Sequence, residues 1–188
     1  MKRTCFWALL IITMLAFSAN ADAKRAANFP YVKSDLDGFF YARCIPAKVE
    51  GRDGVTEIYH VKSDKDELVD RYTWYSKQGL FLGWSPIVGK IAVMSLDKER
   101  GKPLDQQIEF SIYLGGKLLK SHTTNDLLKL GARLNRIHSD NDLGDGAVFE
   151  ARGCEQIPGT NDYVFSIIVA ENTKLSFDIL TGELFHKK

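Results

Sequence analysis

The chain has 188 residues and carries 25 basic against 24 acidic side chains, a formal net charge of +1. The two signs are interspersed, as in "VKSDKDELVDR" at 61–71, rather than blocked. This balance leaves no electrostatic footprint for nucleic acid or an anionic membrane surface, and the length suits one domain with a real core.

Lys2 and Arg3 precede an apolar run from Phe6 to Phe17, and small residues follow at Ala19-Asn20-Ala21 and Ala21-Asp22-Ala23. Charged head, short apolar stretch and small-residue site predict a signal peptide over 1–23. The run, about a dozen residues, falls short of the roughly 20 that span a bilayer. A leader would take Lys2 and Arg3 from the basic residues and Asp22 from the acidic ones, leaving the two equal in number. The expected product is exported, periplasmic or secreted, with no membrane span. Cys5 leaves with the leader, so Cys44 and Cys154 remain. In an oxidising compartment two cysteines most simply form one disulfide. Closing a loop on the order of 110 residues would stabilise the fold by about 4–5 kcal/mol in the chain-entropy account.

Residues 24–37 are polar and patternless and read as a loose lead-in to a single β-rich domain over 38–188. Period-two alternation then predicts strands at 38–45, 55–62, 67–76, 79–84, 89–96, 107–114, 117–123, 147–156, 162–169, 174–180 and 183–186. Turn residues separate them, among them "GRDG" at 51–54 and "TG" at 181–182. Gly115-Gly116 suits a two-residue primed turn. That turn sets Leu114 opposite Lys117, Ile112 opposite Leu119 and Glu109 opposite His122. In 163–179 the odd positions are apolar, which puts Val169 opposite Leu175 and keeps Phe165, Ile167 and Phe177 on one face. Leu127, Leu130, Leu134 and Ile137 form a helical stripe. It predicts a helix over about 124–138 with Thr123 or Thr124 as N-cap, weakened at Gly131. The fold class is mainly β: an antiparallel β-sandwich or strongly curved sheet with one packed helix.

The stretch Arg71–Pro86 holds Trp74 and Trp84 with Tyr72 before them and Tyr75 and Phe81 between them. Alternation places Trp74 and Trp84 in the core and leaves Tyr75 wet beside Arg71. Phe81 and Tyr113 are the other wet aromatics, so Arg71, Tyr75, Phe81 and Tyr113 are the candidate ligand-binding residues. The partner is a protein, a glycan or a small apolar ligand.

His60, His122, His138 and His186 stand at no metal-ligand spacing, and neither HExxH nor CxxC occurs. "DNDLGDG" at 140–146 departs from the EF-hand order, leaving Asp140, Asp142 and Asp145 as an irregular calcium candidate against a plain polar loop. "GWSPIVG" has Ile87 where a nucleophile elbow needs glycine. No cofactor is implied. The expectation is a non-enzymatic binding or envelope-interaction module, with a carrier of a small apolar ligand as the alternative and a hydrolase behind both.

Two resemblances accompany this reading. Gly38, Phe40, Tyr41 and Arg43 in "DLDGFFYAR" resemble the first-strand signature of lipocalins, with Phe40 where that family has tryptophan. This likeness implies a ligand-holding barrel. The order helix, strand, strand, strand over 124–186, with Asp178, Thr181 and Gly182, is similar to PepSY-type units, which implies a role in peptidase inhibition or at the envelope.

Overall fold

A computed structural model describes residues 27–77, 79–98, 102–135 and 146–187. The expected leader, His138, and the calcium candidates Asp140, Asp142 and Asp145 lie outside these residues. The first sheet is a meander of β1 (Tyr31–Ser34), β2 (Phe40–Pro46), β3 (Asp53–His60) and β4 (Glu67–Trp74). The middle sheet follows as β5 (Leu80–Ser85), β6 (Lys90–Leu96), β7 (Ile108–Leu114) and β8 (Lys117–Thr123). Helix α1 (Thr124–Lys129) and a ribbon of β9 (Arg133–Asn135) with β10 (Gly146–Val148) come next. The third sheet is β11 (Glu150–Gln156), β12 (Tyr163–Ile168), β13 (Lys174–Asp178) and β14 (Leu184–Lys187). All pairs are antiparallel. The fold is mainly β and sandwich-like, as the alternation predicts.

The middle sheet is covered on both faces. Ile91 and Val93 of β6 pack with Phe40, Ala42, Ile58 and Tyr72 of the first sheet. Ala92, Met94 and Leu96 pack with Phe165, Ile167 and Phe177 of the third. This explains why β6 reads "KIAVMSL" without polar alternation, since a strand buried on both faces needs apolar side chains at every position. The sheets are open meanders and not the closed barrel that the lipocalin likeness implies.

Cys44 and Cys154 are free thiols in this structure, not the expected disulfide. Cys44 belongs to the core between the first and middle sheets, and Cys154 to the core between the middle and third. Stacked sheets lie about 10 Å apart, and a bridge needs Cα atoms within about 7 Å. Burial raises both thiol pKa values, that of Cys154 to about 12 with Glu155, Asp35 and Asp37 adding to the effect. Sγ of Cys154 fills the space beside Gly83, where an added Cβ would lie 2.4 Å from it. Gly83→Ala should therefore cost about 1–3 kcal/mol by overpacking. Cys154→Ala in the same chain should return part of that loss. Urea unfolding of the four proteins of this cycle would show it, and additive losses would refute the contact.

The helix is shorter than the stripe predicts. Thr123 caps it, accepting from the Asp126 amide at 3.2 Å while the Asp126 carboxylate accepts from the Thr123 amide at 3.0 Å, a capping box. It ends at Lys129 because Gly131 takes φ +101°, a left-handed conformation that closes helices. Leu134 thus falls in β9, and Ile137 lies outside the described residues.

The lead-in and two hairpins also differ from expectation. Tyr31–Ser34 are not loose but pair with β2, and the Tyr31 hydroxyl donates to the Ser76 carbonyl at 2.7 Å. The Gly115-Gly116 turn has both φ values positive, 52° and 81°, and starts the expected register with Leu114 opposite Lys117. A bulge at Leu119 then shifts Ile112 to Lys120, and a second bulge at Glu109 sets Phe110, not Glu109, opposite His122. In β12–β13, Ile167 rather than Val169 faces Leu175. The slip is two residues, so the buried face is the one predicted. Left-handed Glu171 and Asn172, both at φ 58°, make the longer turn.

His122 latches the middle sheet to the third. Its ring stacks on Phe110 at 4.7 Å, meets Phe177 edge-on at 4.5 Å, and its Nε2–H donates to the Gly182 carbonyl at 2.8 Å. An exposed Lys120–Glu183 ion pair lies beside it. Burial holds the imidazole below its ordinary pKa of 6.5. The unfolded chain therefore binds the proton first. The contribution of His122 is complete above about pH 6.5 and is lost as pH falls through the lowered native value, at up to about 1.4 kcal/mol per pH unit. Urea midpoints between pH 7.5 and 4.5 should fall more steeply for the native chain than for His122→Gln. Parallel curves would contradict the assignment.

Candidate functional site

The residues proposed from alternation do not converge. Arg71 is exposed on the outer face of the first sheet, its Nε 3.7 Å from Glu57, which Arg43 approaches at 4.0 Å. Tyr75 is only 2% exposed, contrary to the expectation of a wet ring. β4 ends at Trp74, so the alternation stops there. The Tyr75 hydroxyl donates to the Phe29 carbonyl at 3.0 Å, and its ring meets Tyr31 edge-on. Phe81 is half-buried against Gly153, with the Lys33 ammonium 5.4 Å from its ring centre. Tyr113 is half-buried between Tyr72 and Trp74, at 5.3 and 5.1 Å. It stands beside Arg52, which pairs with the fully buried Asp97 side chain at 2.7 Å.

Trp84, expected in the core, keeps 38% of its surface open. It shares a face with Leu80 and Leu82, as predicted, but it stands near the end of β5, where Phe40 of the first sheet stacks on it. The two rings stack at 5.1 Å and 18°, and His60 stacks on Phe40 at 4.6 Å and 19°. Phe40 itself is 5% exposed, so the indole rests on a fixed support.

Trp84 borders two clefts. The first, about 270 Å³, brings together Phe40, His60, Asp70, Trp84 and Lys90 beside the Gly115 turn. Asp70 makes no hydrogen bond or ion pair with the described residues, and neither do the side chains of Lys90 and His60. Partial burial lifts the Asp70 carboxyl above the usual carboxylate range, against the pull of Lys90. Two residues along β4 the buried Tyr72 hydroxyl finds no acceptor for its proton. The second cleft, about 260 Å³, lies across the indole and is lined by Asp35, Asp37, Gln156 and Tyr163 with Cys154 at its base. Asp35 is occupied by the Phe40 amide, and Gln156 by the Thr160 carbonyl. Asp37 has no such partner among the described residues.

Among the described residues no group of three or more His, Cys, Asp or Glu side chains is arranged to hold a metal ion. No helix there is long and apolar enough to cross a membrane. No family model, no curated protein and no solved structure matches this chain.

Proposed function

We propose that this protein is an exported, non-enzymatic binding module whose ligand seats against Trp84. The observation that carries the reading is a tryptophan propped on a buried phenylalanine and left open between two clefts. Large apolar rings normally gain by burial, at about 25 cal/mol per Å², so an indole held open gains by being covered. The Asp70, Lys90 and His60 side chains, without hydrogen-bond or ion-pair partners among the described residues, supply the polar groups that orient a ligand. Export rests on Lys2, Arg3, the apolar run and the Ala-x-Ala sites. An apolar carrier has less support, because large side chains such as Phe110, Phe165 and Phe177 fill the core between the middle and third sheets.

The test is cosedimentation with isolated cell-envelope material, using protein recovered from the exported fraction at a mass lacking residues 1–21 or 1–23. Trp84→Ala should bind at least tenfold more weakly at unchanged melting temperature, a loss of about 1.4 kcal/mol or more. Trp84→Phe should fall between. Equal binding by the alanine variant, or recovery of the chain with its leader, would count against the proposal.

A further inference from the structure

We infer that the Trp84 ridge takes a linear, neutral saccharide, one pyranose ring lying on the indole and its neighbours entering the two clefts. The inference rests on the binding reading above and adds the chemistry of the ligand. A pyranose has a flat face of C–H groups and a rim of hydroxyls. The flat face suits the exposed part of Trp84, a ring that Phe40 supports at 5.1 Å. Each hydroxyl both donates and accepts. Asp70 offers an acceptor and Lys90 a donor in one cleft; they feel each other's charge, but neither side chain makes a hydrogen bond or ion pair with the described residues.

Their opposite charges also argue against an ionic ligand. A lone cation would satisfy Asp70 and desolvate Lys90, and a lone anion would do the reverse, and an unpaired desolvated charge is costly. A diol engages both without adding charge. Across the indole, Asp37 and Tyr163 present a second set of polar groups. Drug-sized ligands fill pockets of about 300–1,000 Å³. Each cleft alone is smaller, so each suits a single sugar unit, and the ridge between them suits a third. The ligand is therefore a chain of at least three rings.

Isothermal titration with the β-1,4-linked hexaoses of glucose and of N-acetylglucosamine, their monosaccharides and a tetra-alanine peptide tests this. At least one hexaose should bind ten or more times more tightly than its own monosaccharide. Trp84→Ala should lose at least tenfold of that affinity, Trp84→Tyr should retain part of it, and Asp70→Asn and Lys90→Gln should each lose roughly three- to tenfold. Melting temperatures of the tyrosine and asparagine variants separate lost contacts from lost folding. Binding of the peptide alone, still dependent on Trp84, would overturn the saccharide and leave the binding module standing. Hexaose binding indifferent to Trp84→Ala would overturn both. Silence from both hexaoses would overturn the saccharide, and envelope cosedimentation would then decide the broader reading by itself.

Discussion

Phe177→Ala should lower stability by about 4 kcal/mol, the middle of the range for removing a buried phenylalanine. Phe177 is fully buried in β13, its ring edge-on to Phe110 at 5.2 Å and to His122 at 4.5 Å. The side chain therefore joins the third sheet to the middle one at the point where His122 also bonds Gly182. Its neighbours Phe110 and His122 are held in register on paired strands of the middle sheet and cannot collapse easily into the void. Small domains hold only about 5–15 kcal/mol in total, so the variant should unfold at much lower urea. Phe177→Leu, which keeps much of the volume, should lose less than half as much. Equal losses for the two would contradict this volume argument and assign the stabilisation to the ring contacts themselves.

Glu109→Ala is the second large effect. This carboxylate is fully buried on the β7 bulge. Its Oε1 accepts from Thr124 Oγ1 at 2.6 Å and from the Ala147 amide at 2.8 Å. The bulge thus ties the start of α1 and the ribbon to the middle sheet. Alanine would strand two buried donors, at roughly 1–3 kcal/mol each, for about 3 kcal/mol together. Glu109→Gln keeps an oxygen where Oε1 sits and should lose less. The Ala147 amide reports the cause directly. Its hydrogen exchange should accelerate sharply in the alanine variant, and unchanged protection would refute the tie.

Strand positions were legible because alternation and turn glycines act over a few residues. Gly115-Gly116, the odd-numbered apolar face of 163–179 and the Thr123 cap all follow from such short-range chemistry. Bulges are not local in that sense. Glu109 is extra on its strand only because its carboxylate is claimed by Thr124 and Ala147, and the latter stands far along the chain. The helix shows the competition between levels. The leucine stripe continues to 137, yet Gly131 and the demand for β9 end it after two turns. Pairing the cysteines by compartment alone presumed proximity, and the middle sheet separates them.

The site was hidden for a related reason. Alternation gives the face on which Trp84 lies, and that much was correct. Whether a face is covered depends on how far the neighbouring sheet extends, and the first sheet, with Phe40 stacked on Trp84, still leaves the indole partly open. His60, Asp70 and Lys90 come from three strands of two sheets, and no spacing brings them together. The unbroken apolar run of β6 was the readable hint that this sheet has a neighbour on each side.

Among the described residues no backbone ladder crosses between the three four-stranded sheets; they meet chiefly through side chains. Each sheet also pairs its strands in chain order. A polypeptide emerging from its N-terminal end can therefore zip one meander from adjacent hairpins before the next has appeared, with little loop entropy to overcome at each step. The middle meander has two faces to cover, and the first sheet covers only one of them. Until the third arrives, Ala92, Met94 and Phe110 face water, and the half-made protein presents a sticky flank to whatever is near.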